Sequence, residues 1–387
     1  MAAARAYLDY NASAPLLPTA RAAMLAALDV DANPSSVHSE GRSARRLIEQ
    51  ARRSVAALVN ARPEHVVFTS GATEAATTLL TPDWQMGRGA VRMARLYVSA
   101  ADHPCLLSGG RFARDRIETL PVGRDGVLDM AALQAALERH DRSEGLALVA
   151  IHAANNETGV IQPIAAIAAL VEAAGGVLVV DAVQAAGRIP VDITNAYGDY
   201  LILSSHKIGG PKGAGAIVAK ADLMMPAPLV RGGGQENGHR AGTENLAAIS
   251  GFGAAAEQAL RNLDGMAAVR VKRDRIEEII VDLVLDAEIF GGDAERLPNT
   301  VFFAIPGMKA ETAQIAFDLA GVALSAGSAC SSGKVGPSHV LKAMGFGDHA
   351  GAVRVSIGHS TGDADVAAFA EALAAIAARR GRATRAA

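Results

Sequence analysis

Short apolar runs recur between residues 66 and 220, and polar residues follow each of them. The runs at 66–70, 96–100, 117–120, 146–151, 177–180 and 200–203 are too short for helices and read as strands. Helical spacing fills the gaps, over 130–140 and 164–174, and a helix also opens at Gly71. Strands alternating with helices predict an α/β fold with a mainly parallel sheet flanked by helices. Upstream, 18–28 and a stretch ending at Val59 have helical spacing, with Ser39 or Ser43 as the cap of the second. Downstream, helices over 245–263 and 266–285 mark a change, and the boundary falls near Leu263. The remainder alternates short strands (299–304, 322–324, 353–357) with helices, as a smaller α/β domain would. The basic run 270–275 reads as a solvated face.

The polar residues after the strands carry the chemistry. Thr73, His103, Asn156, Asp181, Gln184 and 204–207 all fall just past strand ends, the edge where open α/β sheets bind ligands. Gly71-Ala-Thr-Glu74 offers a helix N-terminus for phosphate, or ordinary capping. Asp181 follows four apolar residues and needs a partner if buried; a protonated pyridine nitrogen would serve, or the acid caps a helix. Lys207, preceded by Ser204, Ser205 and His206, suits a Schiff-base nucleophile, or is an exposed loop lysine. Their recurrence at one sheet edge joins these signals into one site.

Other features follow the same logic. The glycine-rich stretch around Thr243, GGGQENGHRAGTEN, is poor core material and needs a ligand or partner chain to order it. Cys330, in SAGSACSSG, is presented as a mobile reactive thiol would be, or is a surface cysteine without a role. Cys105 reads as a packed small residue. Arg354, inside a short apolar strand, needs a partner and matches a carboxylate.

Composition narrows the class. The 387 residues allow two domains, and a net charge of -3 implies no nucleic-acid partner. Half the chain is hydrophobic but only 4% aromatic, as in a helix-rich soluble enzyme. Charge and glycines break the longest apolar region, 163–180, so no membrane span is expected. Two cysteines make no disulfide framework, which points to a reducing cytoplasm.

With these residues assembled, the chain resembles the cysteine desulfurases of the NifS/IscS type. These are fold type I pyridoxal-phosphate (PLP) enzymes of the class V aminotransferase family. The motifs YLDYNASAP, NPSSVH, FTSGATE, NNETG, VDAVQ, SSHKIGGPKG, GGGQENGHRAGTEN, SAGSACSSG and VRVSIG stand in the family's order. The resemblance implies a large PLP-binding domain over 15–263 and a small domain from 1–14 and 264–387. It makes Lys207 the Schiff-base lysine, Cys330 the sulfur acceptor and His103 a proton-transfer group stacked on the cofactor. Asp181 pairs with the pyridinium nitrogen, and Asn156 and Gln184 contact the phenolic oxygen. Ala72, Thr73, Ser204 and His206 hold the phosphate, joined by Thr243 across a homodimer. Arg354 binds the substrate carboxylate, with Asn33 nearby. Four positions depart from relatives: Ser13-Ala14 stands for two threonines, Ala75 for a polar residue and His359 for an arginine. The implied reaction turns L-cysteine into L-alanine and passes persulfide sulfur to an acceptor such as an iron–sulfur scaffold protein. The alternatives are a selenocysteine lyase or another class V PLP aminotransferase.

Overall fold

The structure is a computed structural model and describes residues 5–327, 337–347 and 351–386. The chain opens with β1 (Ala6–Tyr7), α1 (Pro18–Leu28) and α2 (Ser39–Leu58). Ala44, Ile48, Ala51, Val55 and Leu58 give α2 one buried stripe. Its cap is neither Ser39 nor Ser43. His38 takes that place, with Nδ1 accepting from the Gly41 N–H at 3.3 Å.

The main body follows as β2 (Val66–Thr69), α3 (Ala72–Leu79), β3 (Asp83–Met86), β4 (Gly89–Ser99), α4 (Pro104–Leu107), β5 (Ile117–Leu120), α5 (Met130–Glu138), β6 (Leu146–His152), α6 (Ile164–Ala173), β7 (Val177–Asp181), β8 (Tyr200–Ser204), β9 (Gly215–Ala219) and β10 (Met224–Pro226). Among the described residues these nine strands form one sheet, ordered β10-β3-β4-β6-β7-β8-β9-β2 with β5 also on β4. Its centre, β5 through β8, is parallel. The outer pairs are antiparallel, including β8 with β9. The connection over 205–214 is too short for a crossover helix, so the chain must turn straight back. β7 and β8 are buried along their whole length because both faces are covered. Val55, Phe68, Val149, Ile167, Leu201 and Phe252 belong to the core on one face. Leu79, Leu96, Leu148, Val179 and Ile202 belong to the core on the other. α7 (Leu246–Arg261) closes the first core against α1 and α2.

Beyond it lie α8 (Met266–Leu283), β11 (Glu288–Ile289), β12 (Thr300–Ala304), α9 (Ala310–Leu319), β13 (Val322–Ala323), β14 (Ser325–Ala326), α10 (His339–Ala343), β15 (Ala352–Ser356) and α11 (Asp363–Ala386). A second sheet, β11-β12-β15-β14, is antiparallel throughout. β1 returns to pair in parallel with β13. Ala6 and Leu8 therefore join a separate core with Ile280, Phe303, Phe317, Val355 and Phe369. On this partition of cores we propose the two-domain division at 15–263, with 1–14 and 264–387 together. The expected solvated face over 270–275 fails at Arg273, which is buried because it shares the inward side of α8 with Ile276. Among the described residues no helix is long and apolar enough to cross a membrane.

Candidate active site

One cavity of about 510 Å³ opens at the ends of the central strands. Ala72, Thr73, His103, Asn156, Asp181, Gln184, Ser204, His206 and Lys207 all line it. The sheet explains the convergence. Parallel neighbours end level with one another, so β6 and β7 bring His152 directly opposite Asp181, and β8 delivers Ser204 beside them.

One end of the cavity suits an anion. Gly71 caps α3 but offers no side-chain acceptor, and the Glu74 carboxylate takes the Ser70 N–H at 2.8 Å instead. The first N–H groups of α3, at Ala72 and Thr73, are left for a ligand. Gly215 lets β9 approach, since a Cβ there would stand 2.6 Å from the Gly71 carbonyl carbon. His206 meets Ser13 Oγ at 3.3 Å through Nδ1. Burial pulls its pKa down to about 4, with Lys207 adding to the effect.

Further titratable groups line the same cavity. Asp181 is 7% exposed, and its Oδ1 accepts from the Val183 N–H at 3.0 Å. Burial pushes its carboxyl up to about 6. His103 caps α4, and its Nδ1 accepts from the Cys105 N–H at 3.2 Å, which leaves the ring proton on Nε2. Burial and the nearby Lys207 charge bring His103 down to about 4, so it is neutral at pH 7. Lys207 Nζ donates to the Asn11 and Ala12 carbonyls at 2.7 and 2.9 Å. Gln184 lines the wall with both ends of its amide engaged, Nε2 on the Asn11 carbonyl and Oε1 on Arg188.

Three expected residues are not in the cavity lining. Arg354 is 1% exposed and has found its carboxylate in Asp9, at 2.8 Å, while Nη1 donates to the Asn156 carbonyl at 2.8 Å. Asn33 is exposed, with Oδ1 accepting from the Ser35 N–H in a local turn. Thr243 is exposed. Cys330, with the surroundings that suggested a mobile thiol, lies outside the described residues. Cys105 does line the cavity, but burial, with Asp181 and Asp102 nearby, pushes its thiol far above the usual range and makes it a poor nucleophile.

The sequence reading missed a buried layer beneath the site. His152 Nδ1 bonds Asp102 Oδ1 at 2.5 Å, and Gln162 Nε2 donates to His152 Nε2 at 3.2 Å. The Gln162 donor fixes the imidazole as its Nδ1–H form. Asp102 immediately precedes His103, and His152 ends the neighbouring strand; that pairing across two strand ends was the available signal.

This donor set fits PLP. An uncapped helix N-terminus would take the phosphate, a buried carboxylate would accept the hydrogen bond of a protonated ring nitrogen, and the Lys207 amine lines the same cavity. The comparisons agree. The pattern for "Aminotransferase class-V" matches residues 6–369. The chain belongs to the class-V aminotransferase family, PLP-dependent enzymes of fold type I. Within that family it is 40% identical over 381 residues to a cysteine desulfurase of Cereibacter sphaeroides, covering 95% of each chain. It is 36% identical to an IscS-like cysteine desulfurase of Mycobacterium tuberculosis, covering 99% of this chain and 98% of that protein. Among solved structures, a NifS-like protein from Rickettsia africae superposes with a TM-score of 0.84 at 30% identity, covering 95% of this chain and 98% of that one.

Proposed function

We propose that this chain is a cysteine desulfurase. L-cysteine and the Cys330 thiol react to give L-alanine and a persulfide on Cys330. The substrate's carbon–sulfur bond breaks, a sulfur–sulfur bond forms, and the thiol's proton is balanced by the new C–H bond of alanine. The carbon is reduced as the transferred sulfur is oxidised, so no outside reductant is required.

Bound PLP supplies an electron sink for the bonds at the substrate Cα. Lys207 holds the cofactor in the resting enzyme and moves the Cα proton. His103, neutral at working pH, serves as its partner in proton transfer. Asp181 keeps the ring nitrogen protonated, and Asn156 and Gln184 face the phenolic oxygen. Ala72, Thr73, Ser204 and His206 bind the phosphate with Thr243 of the partner subunit, which makes the working form a homodimer. Arg354 binds the substrate carboxylate, exchanging Asp9 for it, with Asn33 nearby. The persulfide sulfur passes to an iron–sulfur scaffold protein in a reducing cytoplasm.

The observation that carries this reading is the sharing of one cavity by the Lys207 amine, the buried Asp181 carboxyl and the uncapped α3 N-terminus. Similarity to cysteine desulfurases over the full chain supports the substrate. Cys330→Ala should bind PLP and L-cysteine but release no alanine and carry no persulfide. Cys105→Ala should still load Cys330. Alanine assay and mass mapping of the persulfide test both; wild-type alanine release by Cys330→Ala would refute the reading.

A further inference from the structure

The stretch of chain between Gly327 and Ser338 contains Cys330; Ser338 bonds a Glu157 carboxyl oxygen, and that same oxygen leaves no room for a side chain at Gly327. On the far side, Ser338 Oγ donates to Glu157 Oε2 at 2.5 Å. The same hydroxyl caps α10 by accepting from the Leu341 N–H at 3.1 Å, so the direction of α10 and the position of Glu157 are coupled. On the near side, a Cβ built on Gly327 would stand 2.8 Å from Glu157 Oε2 and 2.4 Å from Phe302 Cζ. Only glycine lets the backbone pass there.

Glu157 itself is held from the cofactor side. It is 2% exposed, and its N–H is bonded to Asn155 Oδ1 at 2.8 Å. Its chain neighbour Asn156 lines the cavity and accepts from Arg354 through its carbonyl. Burial of an acid this complete demands a donor, and Ser338 supplies one. The reaction as proposed uses Lys207, His103, Asp181 and Arg354, and leaves this buried acid without a task.

We propose that Glu157 is a positioning residue for sulfur transfer: bonded to Ser338 and packed beside Gly327, it fixes the backbone on either side of the stretch that carries Cys330 relative to the cavity. The inference rests on the desulfurase reading, in which Cys330 takes the sulfur. Cysteine binding and Cα proton transfer involve other groups, so disturbing Glu157 separates the two halves of the reaction. The first half proceeds and the second slows.

The test uses the PLP-loaded enzyme and single turnovers with L-cysteine. Two rates are read: the change in cofactor absorbance on substrate addition, and the appearance of persulfide on Cys330 by mass spectrometry. In Glu157→Ala and Ser338→Ala the absorbance change should keep its amplitude and half-saturating concentration, while persulfide formation slows about tenfold or more, as leaving a buried polar group without its partner implies. Glu157→Gln keeps an acceptor for the Ser338 hydroxyl, and Ser338→Thr keeps the donor; each should recover most of the rate. Because Ser338→Ala removes one hydroxyl, it serves even if Glu157→Ala fails to fold. Persulfide formation at the wild-type rate in Ser338→Ala would overturn the proposal, as would equal slowing of both rates. Failure of the underlying reading is distinguishable, because wild-type enzyme would then form no persulfide on Cys330.

Discussion

Arg52 and Glu236 form a two-bond ion pair inside the protein, Nη1 to Oε2 at 2.7 Å and Nη2 to Oε1 at 2.8 Å. Glu236 Oε2 also accepts from the Phe68 N–H at 2.8 Å, and the guanidinium lies 4.9 Å from the Phe68 ring centroid. Glu236 has a left-handed backbone, φ 47°, so the turn is held against its own preference. A second tie, Arg240 to Glu74 at 3.0 Å, joins the same glycine-rich stretch to the start of α3. That stretch, expected to need a ligand or partner for order, is thus also fastened by side chains of its own chain.

Removing one partner leaves a buried charge alone. Glu236→Ala should cost roughly 3–5 kcal/mol of stability, read as a fall in Tm or in the denaturation midpoint. Arg52→Met combined with Glu236→Leu should recover most of it. A single Glu236→Ala protein as stable as wild type would contradict the buried pair.

Asp181 gives the cofactor-free protein a pH signature. Its carboxyl titrates near 3.8 when unfolded and about 6 when folded, so between those values the folded state holds more protons. Stability from this group is present at low pH and lost as pH rises to 6, by roughly 2–3 kcal/mol. Cofactor-free Asp181→Asn should therefore melt above cofactor-free wild type at pH 7, with the gap closing toward pH 4. Bound cofactor should reverse the order, because the ring nitrogen's proton pairs with the carboxylate in wild type alone. Equal gaps at both pH values would show that Asp181 is not buried.

The proposed substrate role of Arg354 would come in addition to its bonds within the protein. Arg354→Ala should raise the KM for L-cysteine about tenfold or more, from loss of a charge-assisted pair with the substrate carboxylate. It should also lower the Tm, because Asp9 and the Asn156 carbonyl each lose one of their donors. Cofactor binding should persist. A lowered Tm with an unchanged KM would assign Arg354 to structure alone.

The site was legible where local signals stack. Asp181, Lys207, His103 and Thr73 each end or follow a short apolar run, and a sheet that alternates with helices lines such ends up. Strand 200–203 and helix 18–28 are read within a residue because periodicity and flanking polar groups agree. What stayed hidden depends on residues far apart in the chain. Nothing near Arg354 announces Asp9, and nothing near Glu236 announces Arg52. The β3 strand, Asp-Trp-Gln-Met with only Trp84 buried, lacks the apolar run that marks the other strands. The antiparallel return of β9 follows from the length of one connection, which the hydrophobic pattern does not record.

The pairing of β1 with β13 sets an order of assembly during synthesis. The segment 6–12 emerges from the ribosome long before its partners do: Val322 and Ala323 for β1, Arg354 for Asp9, and Ser356, whose Oγ accepts from the Asn11 N–H at 2.9 Å. The Asn11 and Ala12 carbonyls that receive the Lys207 amine are part of that segment. A nascent chain can complete its large sheet and still have no finished cofactor site. Cofactor loading would wait until β13 and β15 have been made, and a chain terminated before them would carry both Lys207 and the Asn11 and Ala12 carbonyls with nothing to dock one against the other.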